Sequence, residues 1–498
     1  MKPVWRLSEL LTTVVEVPAQ ADVSLSGISH CSGQVQSGDL FIALAGARTH
    51  GLAYIQEIIE RGAVAVLWEP CQEVGEPDSS CPIPCLKIPN LSRHIGYIAA
   101  RFHGHPSREI TVVGVTGTDG KTSVTQFIAQ SLNSAVHPCG AIGTLGYGLY
   151  GKLSPASHTT PDALRLQAEL RTLRDQGAKW VAMEVSSHAL DQGRVMGTEF
   201  DLAVLTNLSR DHFDYHGNLE SYALAKRRLF EMQGLRHAIL NLDDVFGSEL
   251  AQALSEKIPV LGYTLDGKIG QGGARVVATR IESRPDGLLL DIETPWGRGE
   301  LNCRLLGRFN AENILAALSV LLVLGLPFKE VLRRMRELHA VPGRMEAFGE
   351  DRQPLVVVDY AHTPAALKHV LLALRAHCQG RLWCVFGCGG ERDVGKRPKM
   401  AQIAERLADK ILITDDNPRQ EFPAAIVSDI VAGFADLECA RVIHDRDQAI
   451  ATAIRQARPT DVVLVAGKGH ELTQIVGDRC IPFSDRERVL AHLNGVPS

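Results

Sequence analysis

The sequence has no apolar stretch long enough to cross a bilayer. Its longest, Ile314–Phe328, falls short of the roughly 20 residues that a membrane helix needs and reads as a buried core helix. Met1–Leu10 mixes Lys2, Arg6 and Glu9 with apolar residues and lacks the unbroken apolar core of a signal peptide. The expected location is therefore the cytoplasm, with no membrane insertion. No block of lysine and arginine appears and the net charge is −5, so the electrostatic signature of a nucleic-acid partner is missing. The eleven cysteines include no C-x-x-C pair. Cys81/Cys85 and Cys384/Cys388 have no matching Cys or His pair nearby, which argues for reduced thiols and against structural zinc. Internal repeats, low-complexity tracts and acidic runs are also lacking. What remains is an ordinary globular composition, 45 % apolar and 22 % charged, in 498 residues. That length suits about three domains.

The clearest regularity is a repeated order: a short apolar run, a polar cluster with Gly, then a helical pattern. The runs are Ile110–Val115, Trp180–Val185, Leu202–Leu205, Leu355–Val358, Leu382–Phe386, Ile411–Ile413 and Val462–Val465. They predict buried parallel strands, the first three in one sheet and the last four in another. Between them, Arg275–Ser283 and Gly287–Thr294 alternate like antiparallel strands, and Ala311–Leu324 predicts a helix. Breakers at Arg101–Ser107 and Pro342-Gly343 set the expected domains at 1–107, 108–340 and 341–498. The fold class is α/β. Ligands of open parallel sheets sit beyond the carboxyl ends of the strands, so the polar clusters there are the candidate sites.

The strongest of these is Gly114-Val-Thr-Gly-Thr-Asp-Gly-Lys-Thr122, between a strand and the predicted helix Ser123–Leu132. Glycines let backbone N–H groups curl around phosphate, and the helix N-terminus adds a favourable dipole. Lys121 would reach the β and γ phosphates of ATP, and Thr122 would ligate Mg²⁺. The strict P-loop spacing is not met, because Val115 stands where the first Gly belongs and Gly117 takes the middle of the loop. Glu184 ends an apolar strand, where a carboxylate must be paired or metal-bound. Thr206–His216 is rich in metal-capable side chains that suit Mg²⁺ held with phosphates better than zinc. Gly387–Arg392 is a weak dinucleotide fingerprint, lacking the third Gly and an acid for a ribose, so NAD is rejected. Asp359–His362, Asp416–Arg419 and Gly467–Glu471 close further strands and would pass for turns if read singly.

Taken in order, the motifs resemble the Mur ligase family of ATP-dependent amide-forming enzymes over nearly the whole chain, most closely its diaminopimelate-adding branch. The pieces are Gly117-Thr-Asp-Gly-Lys-Thr, His158-Thr-Thr-Pro-Asp, Met183-Glu-Val-Ser-Ser-His, Asn207-Leu-Ser-Arg-Asp-His, Asn310-Ala-Glu-Asn, Asp359-Tyr-Ala-His-Thr-Pro and Asp416-Asn-Pro-Arg. The resemblance implies a uridine-nucleotide-binding first domain, a central P-loop domain and a Rossmann-like third domain. It implies that ATP phosphorylates the D-glutamate side-chain carboxylate of UDP-N-acetylmuramoyl-L-alanyl-D-glutamate, and that meso-2,6-diaminopimelate then displaces phosphate. Gly117, Thr118, Asp119, Gly120, Lys121, Thr122 and Ser123 would bind ATP, with Asn310 on the adenine side and Arg344 and Asp359 from the third domain. Thr122, Glu184, His212 and Lys226 would form the Mg²⁺ site, and Lys121, Glu184, His212 and Lys226 the catalytic set. Lys226 matches the lysine that is carbamylated in the family. Thr159, Thr160, Ser186, Gln192 and Arg194 would hold the muramoyl-dipeptide. Arg392, Asp416, Asn417, Pro418, Arg419, Gly467 and Glu471 would hold the incoming amino acid. Relatives that add lysine lack the Arg of the Asp-Asn-Pro-Arg motif. A monomer is expected.

The first domain departs from the pattern. Cys31-Ser32-Gly33 stands where the family has Asp-Ser-Arg before Gly38-Asp-Leu-Phe41, so only Ser32 is kept. Ala47, Arg48 and Thr49 would flank the uracil. Two other readings stay open. One is a lysine-adding or folylpolyglutamate synthase-like ligase, against which the uridine-type first domain and Asp416–Arg419 argue. The other is a non-catalytic P-loop protein, against which the joint presence of Lys121, Glu184, His212 and Lys226 argues.

Overall fold

Buried parallel strands, each closed by a polar turn, build most of the molecule, and the apolar runs place seven of them to within one residue at either end. The computed structural model describes residues 4–46, 49–72, 74–78, 80–156, 158–266, 273–350 and 352–495. The chain divides into two compact units, 1–262 and 263–498. That division falls inside the expected middle segment, 108–340.

Two sets of parallel strands dominate the first unit. Gly27–Ser29, Asp39–Ala43, Ala65–Trp68 and Cys85–Lys87 form a four-stranded parallel sheet. The helix Leu91–Phe102 packs its apolar face (Leu91, Ile95, Ile98, Ala99) into a core with Leu40, Ile42, Ala65 and Leu67 of that sheet. Phe102 therefore still belongs to a helix, and the expected boundary at Arg101–Ser107 begins only at His103. The second sheet runs Cys139–Gly143, Trp180–Glu184, Thr111–Thr116, Leu202–Leu205, His237–Asn241, all parallel. The order reverses beside Thr111–Thr116. The next strands in sequence lie on one side of it and the later ones on the other, which opens a crevice for ligands at the carboxyl ends. Register puts Glu184 beside Val115, and Leu205 beside Thr116, so three polar clusters leave the sheet side by side.

The second unit pairs Ala274–Arg284, Gly287–Thr294 and Gly297–Cys303 antiparallel, as the alternation predicts for the first two. The predicted core helix runs Arg308–Val323. Its apolar run does not continue to Phe328, because Gly325 turns left-handed (φ +86°) and Pro327 caps the next helix, Phe328–Arg336. A six-stranded sheet follows, in the order Glu346–Phe348, Leu355–Asp359, Val462–Ala466, Leu382–Phe386, Lys410–Ile413, Ala440–Val442, parallel except for its first strand. The last parallel strand in sequence is inserted between the first two, so the loops after Asp359, Phe386, Ile413 and Ala466 crowd one end of the sheet. Among the described residues no helix is long and apolar enough to cross a membrane.

Candidate functional site

In the first unit the site begins at the turn after Thr111–Thr116. Gly117 has φ +149°, and a Cβ there would sit 1.8 Å from Thr206 Oγ1, so no larger residue fits. Gly120 (φ +82°) is the N-cap of the helix Lys121–Leu132, which starts two residues before the predicted Ser123. The loop is stitched to the neighbouring strand's turn: Thr118 N donates to Asn207 O and Asp119 N to Asn207 Oδ1, 3.0 and 2.9 Å. Lys121 folds its Nζ back onto Gly117 O and Thr118 O, 3.0 and 2.8 Å. These carbonyls hold the ammonium over the loop, where a phosphate would lie against the helix N-terminus.

Glu184, 1 % exposed, closes the adjacent strand. Thr122 Oγ1 donates to its Oε2 at 2.9 Å, and Thr144 N to its Oε1 at 2.8 Å. Burial nevertheless pushes the carboxyl above its ordinary range, offset in part by Thr144 N, Lys121 and Thr122. A half-buried hydroxyl paired with a buried carboxylate beside this loop is a set of hard oxygen donors of the kind that fits Mg²⁺ held with phosphates. His212 has a left-handed backbone (φ +54°), is 45 % exposed, meets His188 edge-on at 4.8 Å, and has Nε2 3.3 Å from Asp211 Oδ2. Among the described residues, no three of His, Cys, Asp and Glu gather into a metal cluster.

Lys226 is 1 % exposed on the helix Leu219–Arg227. Its Nζ donates to Gly117 O at 2.6 Å and lies 4.3 Å over the Tyr222 ring. Burial drives the amine well below the ordinary lysine range, and the Lys121 charge pushes the same way against the smaller pull of Asp211 and Asp119. A surface lysine is thereby excluded. As an ammonium it could not ligate a cation.

The residues matched to the muramoyl-dipeptide form one network on the far side of Glu184. Thr160 Oγ1 donates to Glu184 O and accepts from Ser186 N, 2.8 and 3.1 Å. Arg194 donates to Thr160 O and to Gln192 Oε1, 3.1 and 2.9 Å. Thr159 meets Thr144, itself a Glu184 donor, hydroxyl to hydroxyl at 3.2 Å. Upstream, a cleft of about 810 Å³ is lined by His30, Cys31 and Gln34, which flank Ser32, and by His158, Asp162 and Arg165. Thr49 lines a separate cleft of about 740 Å³. Ala47 and Arg48 lie outside the described residues.

In the second unit the Arg344 guanidinium stacks 4.6 Å over Tyr360. Asp359 accepts from Met345 N and Ala361 N, both 2.8 Å, while burial holds its carboxyl above the usual range. Asn310 is 3 % exposed and ties its amide to Leu306 O and Asn313. The residues expected to hold the incoming amino acid lie close together. Asn417 donates to Glu471 Oε2 at 2.9 Å, and a Cβ on Gly467 (φ +117°) would meet Asp416 Oδ2 at 2.6 Å. Pro418 O leaves Gly390 no room for a Cβ (1.9 Å), and Arg392 is exposed at the rim. Arg419 is half-buried at φ +53°, a conformation that non-glycine residues hold only when bound in place. Arg419 N to Ile475 O (3.0 Å) and Gly477 N to Arg419 O (2.7 Å) bind it, and one guanidinium N–H reaches Gly390 O at 2.6 Å. Two buried cations in this cluster carry no sequence signal of their own, Lys468 between two glycines and Arg446 at the start of a helix. Arg446 pairs with Asp485 at 2.7 Å and donates to Ala466 O at 2.9 Å.

Comparison with known proteins bears on these sites. Residues 24–103 match the Mur ligase family catalytic domain, 115–321 the Mur ligase middle domain and 343–469 the Mur ligase glutamate ligase domain. The UDP-N-acetylmuramoyl-L-alanyl-D-glutamate–2,6-diaminopimelate ligase of Alkalilimnicola ehrlichii is 50 % identical, covering 98 % of each chain. Its Pseudomonas aeruginosa counterpart is 48 % identical over 94 % of this chain and 95 % of its own. A solved structure of a ligase of that name superposes with a TM-score of 0.76 at 34 % identity, covering 99 % of both chains.

Proposed function

The chain belongs to the Mur ligase family, and we propose that it is the ATP-dependent ligase that joins 2,6-diaminopimelate to UDP-N-acetylmuramoyl-L-alanyl-D-glutamate in peptidoglycan precursor synthesis. The meso form is the amino acid expected. Domain limits of 1–107, 108–340 and 341–498 go with this reading, and the three family matches support them.

A carboxylate is a poor acyl donor at neutral pH, so it is first phosphorylated. The D-glutamate side-chain oxygen attacks the γ-phosphorus of ATP, and the bond to ADP breaks. The amine then attacks the acyl carbon, loses a proton, and inorganic phosphate leaves. Lys121 and the N-terminus of Lys121–Leu132 hold the phosphates as charge moves onto them. Thr160, Ser186, Gln192 and Arg194 orient the dipeptide beside Glu184. Thr122 and Glu184 would hold Mg²⁺, which supplies charge neutralisation at the phosphates. His212 and Lys226 complete the proposed metal side. Arg344, Asp359 and Asn310 are the proposed nucleotide residues of the second unit.

One observation carries the choice of amino acid: the half-buried Arg419, locked at φ +53° in the same loop as Asn417, which holds Glu471. Diaminopimelate has a carboxylate and an ammonium at its far end, whereas lysine has the ammonium alone. A guanidinium and a carboxylate suit the first and leave Arg419 unpaired with the second. A charge-assisted bond of this kind contributes about 1.5–3 kcal/mol, or about 10- to 150-fold. Wild-type kcat/KM is expected to favour meso-diaminopimelate over lysine by at least that factor. Arg419→Ala should raise KM for diaminopimelate by a similar factor while leaving KM for ATP within twofold. Steady-state phosphate release with each amino acid measures both, and equal kcat/KM for the two would overturn the amino-acid assignment.

A further inference from the structure

The amino-acid cluster contains a lysine whose ammonium is bound to Asn417, Glu471 and Thr473 and has no proton left for a ligand. Lys468 is fully buried, at 0 % exposure. Its Nζ donates to Asn417 Oδ1 at 3.0 Å, to Glu471 Oε2 at 2.9 Å and to Thr473 O at 2.7 Å. An ammonium has three protons, and all three are used. A lysine between two glycines at a strand end invites a phosphate-binding reading, and this geometry refuses it, since Nζ can neither reach solvent nor offer a proton.

Its neighbours form a closed triangle. Asn417 Oδ1 takes Lys468 Nζ and Ile475 N, and Asn417 Nδ2 donates to Glu471 Oε2. The amide orientation follows, because only Oδ1 can face the ammonium. Glu471 Oε2 thus receives two donors from inside, while the side chain stays 32 % exposed on the other edge. Its Oε1 is the oxygen left for a ligand.

We propose that Lys468 is a positioning residue for the amino-acid substrate: its ammonium fixes Asn417 and Glu471 as one rigid edge, so that Glu471 Oε1 meets the ammonium at the substrate's far end. The inference rests on the placing of the amino acid at this cluster under the proposed function. Lys468 also keeps Glu471 charged. Burial pushes the Glu471 carboxyl up, but the Lys468 hydrogen bond and charge, with Asn417 and His470, hold it below its ordinary range. The other ionisable groups facing it are Tyr360, from the loop after Leu355–Asp359, and Arg446, from the helix Arg446–Gln456.

The test is Lys468→Met, with Lys468→Gln as a second neutral replacement in case the first does not fold, each combined with Glu471→Gln. In the single variant KM for diaminopimelate is expected to rise at least about tenfold, with KM for ATP and for the nucleotide substrate within twofold. Without the lysine, Asn417 and His470 are left to oppose burial, and the titration of Glu471 moves up. Below that point the carboxyl is neutral and holds no ammonium, so KM for diaminopimelate should fall as pH rises through it, a trend that neither the wild type nor Glu471→Gln should share. In the double variant KM should be no worse than in Glu471→Gln alone, because both changes remove one interaction. An unchanged KM, or a pH-independent rise that multiplies with Glu471→Gln, overturns the proposal. A wild-type enzyme that used a different amino acid would sink the diaminopimelate reading instead, and the same comparison run with that amino acid would still decide the role of Lys468.

Discussion

Lys121→Ala is expected to lower kcat/KM for ATP by about 10³-fold or more, with the protein still melting cooperatively. Lys121 Nζ donates to the carbonyls of Gly117 and Thr118 in its own loop, at 3.0 and 2.8 Å. Losing the ammonium forfeits two bonds of about 1.5–3 kcal/mol each at most, and at this partly exposed loop water takes its place at the two carbonyls, so the net loss of stability is smaller. Losing the same charge where phosphate oxygens gain negative charge costs more. Each charge-assisted bond contributes about 1.5–3 kcal/mol, and removal of one preorganised donor from a developing anion typically costs 10²–10³ in rate. Activity should therefore fall far more steeply than melting temperature. Lys121→Arg keeps the charge but is too long to fold back on its own turn, so only partial recovery is expected. Single-turnover formation of ADP, followed beside a thermal melt, checks both arms. Near wild-type turnover in Lys121→Ala would remove the phosphate role from this loop.

Much of this loop was legible because its constraints are local. A buried strand, one glycine forced by close approach, another by a left-handed backbone and a helix N-terminus all lie within a dozen residues, so the strand–loop–helix order is readable although the strict P-loop spacing is not met. The parallel strands were legible for a related reason: buried on both faces, they read as apolar runs such as Val462–Val465. Cys139–Gly143 shows where that signal fails. The strand is fully buried, yet its sequence, Cys-Gly-Ala-Ile-Gly, is not a run of large apolar side chains. A Cβ on Gly140 would press on Leu173 at 2.7 Å, and one on Gly143 would strike Glu184 Oε1 at 2.3 Å. Burial there demands small residues, and Gly143 makes the room in which the Glu184 carboxylate sits. The dipeptide network and the Lys468 triangle were illegible for a further reason. Thr160 and Ser186, or Lys468 and Asn417, meet only across strands far apart in sequence, and no spacing rule links them. The resemblance supplied the first set; only the coordinates supplied Lys468.

Lys226→Ala is the second large effect, expected to reduce turnover at least about 10²-fold without a comparable loss of stability. A lysine buried to 1 % exposure, with Lys121 close enough to repel it, is costly to the fold as a cation. Burial, and after it the Lys121 charge, lower its titration and so favour the neutral amine. A neutral amine attacks CO₂: the N–C bond forms, one proton leaves, and a carbamate with two oxygens and a negative charge replaces the ammonium. That change turns repulsion from Lys121 into attraction and converts a group unable to ligate a cation into one suited to Mg²⁺. The alanine variant loses those oxygens, so acetate or another short carboxylate should restore part of the activity in a saturable way. Because the reacting species is the free amine, carbamate occupancy should rise with pH, and bicarbonate should reactivate degassed wild-type enzyme more fully at pH 8 than at pH 6.5. Carbon-13 bicarbonate gives a readout independent of turnover: a carbamate resonance present in the wild type and lacking in Lys226→Ala. Full activity in the alanine variant, or no labelled carbamate in an active wild type, would remove Lys226 from the mechanism while leaving the phosphate loop and the amino-acid cluster in place.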